Sequence, residues 1–293
     1  MISIICPFHN GLAYTKKCLA SLLITINNSR HKNNINIIFI DDGSTDGTDK
    51  WINKNYPEVK LLYGDGNLWW SGAVNLGVKY ALKQGTQYIL LINNDNLFEK
   101  DYVDKLINFV IEKKFKIVGS IIMDVVTKQV WSSGGYFNKK TGGFGMYKNI
   151  RNDTSSYYVV DWLPGMSTLI HRSVFEIIGY WNEKDFPQYY GDSDFILRAK
   201  KNGIDAYVYL GSIIWNNTKS TGIVHNGSFL ELIRSLYSIK SYYNVFKSVK
   251  FLLVHRTNYL GMLKYLVNKY GKYIGGYYKH KLLNLFNKRN NSE

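Results

Sequence analysis

The sequence predicts an α/β fold: a mostly parallel central sheet flanked by helices, with a helical C-terminal extension. Three observations carry this. Short apolar runs alternate with segments of helical period through the first hundred residues, the rhythm of βαβ units. Two of those runs, Ile37-Ile38-Phe39-Ile40 and Tyr88-Ile89-Leu90-Leu91-Ile92, stop in Asp41-Asp42-Gly43-Ser44-Thr45-Asp46-Gly47-Thr48 and Asn93-Asn94-Asp95-Asn96. From Ser228 onward strand character gives way to Leu, Tyr and Lys at helical spacing.

Residues 2–6 read as a buried strand that Pro7 stops. Residues 12–26 read as a helix, with Leu19, Leu22, Leu23 and Ile26 on one face. Residues 35–40 form the second strand, and Ser44 or Thr45 can cap the helix that holds Trp51 and Ile52. A short strand at 59–62 leads to the turn Gly64-Asp65-Gly66-Asn67, a helix over 73–83 and a fourth strand over 88–92. The rhythm then changes. A helix is expected over 102–113 and a strand over 117–126. Residues 129–137 and 144–147 read as hairpin strands around Gly142-Gly143. Next come a strand over 157–163, short helices over 173–179 and 192–201, and a late strand over 206–210. In the extension, Leu232, Leu236, Ile239, Tyr243 and Phe246 share one helix face, and the pattern continues to Phe286, interrupted at Gly271 and Gly275-Gly276. The expected divisions are 1–97, 98–227 and 228–293, with no internal repeat.

With 293 residues and 45% hydrophobic content the chain can bury a large core. Its net charge is +15, and 12 Lys/Arg against 2 Glu place +10 of it from Glu231 to the end. That asymmetry points to an anionic surface, membrane lipid or nucleic acid. Cys6 and Cys18 are too few for a disulfide framework or a metal site, which suits a reducing compartment. Neither a signal peptide nor an apolar run of spanning length is expected, so the chain reads as cytoplasmic and peripheral to a membrane.

In an open α/β sheet, ligands bind beyond the carboxyl ends of the strands. Carboxylates gathered there suit a hard divalent cation and the phosphates it bridges. A nucleotide diphosphate is therefore the expected ligand, although each acidic cluster alone is also good turn and cap chemistry. The segment Gly64-Asp65-Gly66-Asn67-Leu68-Trp69-Trp70-Ser71-Gly72 lets backbone approach a ligand, and the helix after it can face a phosphate. It is neither a Walker loop nor Gly-x-Gly-x-x-Gly. In Tyr189-Tyr190-Gly191-Asp192-Ser193-Asp194, two carboxylates open a helix, as caps or as a general base toward an acceptor hydroxyl.

Taken together, these residues resemble the inverting family 2 glycosyltransferases of GT-A fold over about residues 1–226, in the version of bacterial surface-polysaccharide and rhamnosyltransferase-like enzymes. The marks are Cys6-Pro7-Phe8-His9-Asn10, Asp41-Asp42-Gly43-Ser44-Thr45-Asp46, the Gly66-Asn67 to Asn75 loop, Asn93-Asn94-Asp95, Trp162-Leu163-Pro164-Gly165 and Gly191-Asp192-Ser193-Asp194. The resemblance implies that Pro7, His9, Asn10, Gly66, Asn67, Trp70, Asn75 and Asn94 line the donor and that Asp42 contacts its pyrimidine base. It makes Asp95, with His225, the metal-contacting pair, and Asp192 the base. Trp162, Gly165, Tyr190 and Asp194 would face the acceptor. Asn93 stands where the family has the first Asp of Asp-x-Asp, and Gly191 where it has a Glu before the base. The implied cofactor is Mn²⁺ or Mg²⁺. The implied partners are a UDP- or dTDP-linked sugar, a glycan or polyprenyl-linked acceptor and an anionic membrane surface, with a homo-oligomer allowed and nucleic acid not expected. The rival readings are a sugar-nucleotide nucleotidyltransferase and a nucleic-acid-binding protein using the basic C-terminus.

Overall fold

The computed structural model describes residues 1–150, 155–217, 228–255 and 257–290. The chain divides into two compact units, Met1–Tyr136 with Gly145–Ser220 and Phe137–Phe144 with Thr221–Glu293.

In the first unit β1 (Ile2–Phe8), α1 (Leu12–Asn27), β2 (Ile35–Asp41), α2 (Thr48–Asn55), β3 (Lys60–Tyr63), α3 (Trp69–Lys83) and β4 (Tyr88–Leu91) alternate. Then follow β5 (Asn96–Phe98), α4 (Tyr102–Lys113), β6 (Ile117–Asp124), β7 (Val130–Ser132), the strands β8 (Gly135–Asn138) and β9 (Gly143–Met146), of which residues 137–144 count with the second unit, β10 (Tyr157–Val160), β11 (Thr168–His171), α5 (Arg172–Ile178), α6 (Gly191–Lys201) and β12 (Ala206–Asn216). The main sheet runs β10-β12-β6-β11-β4-β1-β2-β3, with β5 on β12 and β7 on β6. It is parallel from β3 through β2 and β1 to β4. The antiparallel strand β11 then separates β4 from β6.

β1 is buried at every residue, as a parallel strand covered on both faces should be. On one face Ile4, Cys6 and Phe39 pack with Leu19, Leu22, Leu106 and Val110 from α1 and α4. On the other, α3 approaches so closely that a Cβ at Gly77 would come within 2.7 Å of Ile40 and 2.9 Å of Ile5. Larger residues there would push the helix off the sheet.

Several expectations need correction. Pro7 does not stop β1, which continues to pair Pro7 with Ile40 and Phe8 with Asp41. Ile5 O accepts from Ile92 N–H, and Phe8 O from Asp42 N–H. Pro7 therefore turns its donorless nitrogen toward the β4 side, beyond the last ladder pair. Ser44 and Thr45 do not cap α2, which starts at Thr48 after Gly47 in the left-handed region. Asp46 Oδ1 accepts the Thr48 N–H there, at 3.1 Å. Residues 130–132 pair with β6 rather than extending the hairpin, which is β8–β9 alone. β12 runs on to Asn216 past a register shift between Tyr209 and Ile213.

The second unit holds α7 (Phe229–Ser235), α8 (Val245–Val254) and α9 (Tyr259–Asn290). The expected single face from Leu232 to Phe246 is broken between α7 and α8. Asn244 caps α8 by accepting the Lys247 N–H at 3.0 Å, and its amide donates to Tyr237 O at 2.7 Å. The glycines 271, 275 and 276 do not interrupt α9, which passes through all of them. Leu232, Tyr273 and Tyr277 form a small core, and Tyr243 stacks on Tyr273 at 3.6 Å. Among the described residues no helix is long and apolar enough to cross a membrane.

Candidate active site

Because β1, β2 and β4 are parallel neighbours, their carboxyl ends deliver residues 8–10, 41–46 and 92–95 to one sheet edge. The side chains there bind one another. His9 Nδ1 lies 2.6 Å from Asp42 O. Asn10 has a left-handed φ of 60°. Its N–H donates to Ser44 Oγ at 2.7 Å and its Oδ1 accepts from Thr45 N–H at 2.8 Å. Asn94 Nδ2 donates to Thr15 Oγ1 at 3.0 Å. Pro7 sits within β1 just below this edge.

Asp42 is buried, and its carboxylate collects the N–H groups of Gly66, Leu68 and Trp69 at 2.9, 3.2 and 2.9 Å. It pins the loop to β2. The loop comes in close: a Cβ at Gly64 would lie 2.5 Å from Asp42 Oδ1. Asn67 is exposed at the loop's outer edge, where its N–H donates to Asp65 Oδ1 at 2.9 Å.

The start of α3 does not offer free N–H groups to a phosphate, contrary to expectation. Trp69 N–H is held by Asp42, Trp70 N–H by Gln188 Oε1 at 3.2 Å and Ser71 N–H by Pro187 O at 2.8 Å. Helix-terminal donors already bonded inside the protein are not available to an anion. Asn75 likewise does not line a pocket. It is buried, donating to Trp181 O at 2.9 Å and Glu183 Oε2 at 2.6 Å and accepting from Trp181 N–H at 2.9 Å. Its amide ties α3 to the segment before α6.

A second cluster forms around Trp70. Its indole N–H donates to Asn93 Oδ1 at 3.2 Å, and its ring meets Trp181 edge-on at 6.0 Å. The ring lies directly on Gly165, where any Cβ would overlap it and come 2.7 Å from Asp192 Oδ1. Asp192 Oδ2 accepts the Gly165 N–H at 2.7 Å. Asp192 Oδ1 and Trp181 Nε1 are both sealed from solvent without a hydrogen-bond partner. Burial pushes the Asp192 carboxyl up to about 7, opposed by the Gly165 N–H and by the neighbouring Trp181 indole. That indole lies near enough to act on the carboxyl while falling short of hydrogen-bond geometry. Gly165→Ala is expected to cut any activity of this site by at least about a hundredfold, since displacement of a reacting group by about 1 Å costs that much. A kcat within tenfold of the parent would show that the Trp70–Gly165–Asp192 stack does not set the chemistry.

The other expected acceptor residues are engaged in packing and hydrogen bonds of their own. Asp194 is buried and turned inward, pairing with Arg198 Nε at 2.9 Å. Arg198 also donates to Ile178 O and Tyr180 O at 2.7 and 2.8 Å, so the pair anchors the end of α5 and cannot face an acceptor. Trp162 is packed over Gly135 and donates to Gly145 O at 3.2 Å. Tyr190 is buried against Phe186, with a left-handed φ of 69° as it starts α6.

At the end of β4, Asp95 Oδ1 accepts from Asn216 Nδ2 at 2.8 Å, and burial raises the Asp95 carboxyl. Asn216 is buried with its Oδ1 unpartnered. His225 lies outside the described residues.

Comparison with known proteins gives the family. Residues 3–179 match Glycosyl transferase family 2. The chain belongs to that family. A relative is the low-salt glycan biosynthesis hexosyltransferase Agl10 of Haloferax volcanii, 23% identical over 216 residues, covering 68% of each chain. Another is the N-acetylglucosaminyl-diphospho-decaprenol L-rhamnosyltransferase of Mycobacterium tuberculosis, 25% identical and covering 64% of this chain and 68% of that one. Among solved structures, GalNAc-T7 with UDP, GalNAc and Mn²⁺ superposes with a TM-score of 0.61 at 14% identity. That match covers 92% of this chain and 54% of GalNAc-T7, less than two thirds of its length. The chain is thus a family 2 glycosyltransferase with the GT-A fold. The family match ends at Gly179, before Asp192.

Among the described residues a divalent metal fits this family 2 site in one way. Among the described residues no three His, Cys, Asp or Glu side chains are grouped to hold one. Asn93 Oδ1 already accepts the Trp70 indole N–H. Asp95, beside the orphaned Asn216 oxygen, is a one-carboxylate donor set. Mg²⁺-type ions are commonly held that way, through one or two carboxylates plus substrate phosphates. The site suits a metal that arrives with a diphosphate.

Trp181, Gln188 and Asn216 were not legible as site residues. Their partners Asn75, Trp70 and Asp95 lie 106, 118 and 121 positions away, and no local spacing marks them.

Proposed function

We propose that this family 2 enzyme transfers a hexosyl group, with inversion, from a UDP- or dTDP-linked sugar to a hydroxyl of a glycan or polyprenyl-linked acceptor. The setting is surface-polysaccharide synthesis at the cytoplasmic face of a membrane. The carrying observation is Asp192: a half-buried residue whose carboxyl is poised at about 7, one oxygen fixed by the Gly165 N–H and the other without a hydrogen-bond partner. General bases work best when their pKa lies near the operating pH. Asp192 takes the acceptor hydroxyl proton as the hydroxyl oxygen attacks the anomeric carbon in line. The sugar–phosphate bond breaks on the opposite side and the nucleoside diphosphate leaves. Single displacement inverts the anomeric centre and needs one base. With Asp194 locked to Arg198, Asp192 is the carboxylate of α6 available for it. The named activities of the Haloferax and Mycobacterium relatives support hexosyl or rhamnosyl transfer.

A metal held by Asp95 and the diphosphate would supply Lewis-acid stabilisation of the leaving group. His9, Asn10 and Asn94 shape the donor edge, and Trp70 with Gly165 positions Asp192. The test is incubation with a panel of UDP- and dTDP-sugars plus Mn²⁺ or Mg²⁺. Release of nucleoside diphosphate supports transfer, whereas pyrophosphate exchange would favour a nucleotidyltransferase. Asp95→Ala is expected to weaken metal-dependent nucleoside diphosphate binding by at least about tenfold, the lower range for losing even an outer partner of a metal ligand. Titration calorimetry with and without EDTA checks it; equal affinity in both proteins would remove Asp95 from the metal site.

A further inference from the structure

α9 carries two faces. Tyr273 and Tyr277 are buried in the second unit. Beside them, on the adjoining arc of the helix, Leu260, Leu263 and Val267 are 61%, 58% and 65% exposed, and Ile274 and Tyr278 continue the row at 38% and 51%. At 3.6 residues per turn these five positions fall within an arc of about 60° and span about 27 Å. Apolar side chains in a continuous row this exposed mark a surface that meets something. Lys264, Lys272 and Lys279, all exposed, follow along the adjoining arc. From Tyr259 to Asn290 the helix has no Asp or Glu, while Lys281, Lys288 and Arg289 add to its positive charge.

We infer that this row of α9 docks on an anionic bilayer surface, lying in the interface with the lysines toward lipid headgroups. The inference deepens the membrane-proximal reading above and rests on it. Charge decides the occupant. Two copies paired through the row would bring like-charged lysine flanks together, with no acidic residue on either helix to answer them. An anionic headgroup layer answers all of them. The composition of the row also separates lipid from nucleic acid: Leu, Val and Ile insert among acyl chains, whereas single-stranded nucleic acid calls for stacking aromatics. The tyrosines sit at its ends, Tyr259 at 76% exposure and Tyr278 at 51%, where amphipathic rings favour an interface. A helix that lies on the membrane agrees with the absence of a spanning one among the described residues.

The test is cosedimentation of the full chain with vesicles of phosphatidylcholine alone or with phosphatidylglycerol, without donor sugar. Binding is expected to the anionic vesicles only, and to weaken with salt. L263E/V267E is expected to lose at least about tenfold in partitioning by putting charge into the acyl boundary. K264Q/K272Q/K279Q should lose about a hundredfold, at about fivefold for each basic residue removed from an anionic surface. Helicity and donor hydrolysis should stay at the parent level in both. If L263E/V267E fails to fold, the lysine variant decides. The inference is overturned if the parent ignores anionic vesicles, or if both folded variants bind like the parent. It is equally overturned by a lipid-free dimer that L263E/V267E dissolves, or by RNA or DNA binding in preference to vesicles. A protein that hydrolyses donor but ignores vesicles loses this surface alone; one that binds vesicles but hydrolyses no donor loses the catalytic reading alone.

Discussion

Asp192→Asn is expected to abolish glycosyl transfer and, at the same time, to stabilise the protein above neutral pH. Removing a positioned general base costs about 10²–10⁴ in rate. Donor binding should be little changed, because the Asp192 carboxyl is held by the Gly165 N–H, whereas Asn10 on the donor edge is held by Ser44 and Thr45. The stability effect follows from the raised pKa. The folded carboxyl titrates at about 7 against an ordinary 3.8. Between those values the folded chain holds a proton that the unfolded chain has released. Stability therefore falls as pH rises from about 4 to 7, and the full cost of the buried charge persists above that. About three pKa units correspond to at most about 4 kcal/mol. Asn carries no charge at any pH, so its advantage should be largest at pH 8 and vanish near pH 4. Thermal melts of both proteins across that range check the slope. In the parent, kcat/KM should rise tenfold per pH unit below about 7 and level off above it. Residual transfer near the parent rate, or loss of donor affinity by calorimetry, would take the base role from Asp192.

That role also shows how far a sequence can be read. Apolar runs closed by polar clusters placed β1, β2 and β4, because parallel strands buried on both faces have no other composition open to them. The amphipathic period gave α4 its observed bounds, Tyr102–Lys113. β11 escaped notice because Thr168–His171 is four residues long and is a strand only by virtue of lying between β4 and β6. Asp192 and Asp194 are two residues apart on a helix and so point to nearly opposite sides. Arg198, four residues after Asp194, was a readable sign that Asp194 would be taken by an ion pair. The break between α7 and α8 had a sign too, the capping Asn244, which the longer apolar period masked. For Asp42 no local sign exists. Its task depends on a loop more than twenty residues on folding back over β2.

Asp42→Ala is accordingly expected to destabilise the protein by about 3–5 kcal/mol and to disable the active site together with it. Truncation leaves the N–H groups of Gly66, Leu68 and Trp69 without their acceptor, at about 1–3 kcal/mol for each buried group left unsatisfied. Gly66 is exposed and can turn to water, so the sum falls short of three full penalties. The melting temperature should drop on the order of 10 °C for a chain of this size. Trp69 starts α3, and loss of its acceptor frees the first turn that carries Trp70. Trp70 spans Asn93 and Gly165, so Asp192 loses its packing as well. Asp42→Asn keeps one acceptor oxygen but sets an NH₂ against the remaining loop donors, and should fall between parent and Ala. A residue that only reads the nucleotide base behaves differently. Its Asn variant would keep the parent melting temperature and lose affinity for uracil- or thymine-bearing diphosphates alone. Melting and nucleotide titration on the same two variants therefore separate a loop anchor from a base reader, and a carboxylate already holding three N–H groups predicts that the melt moves first.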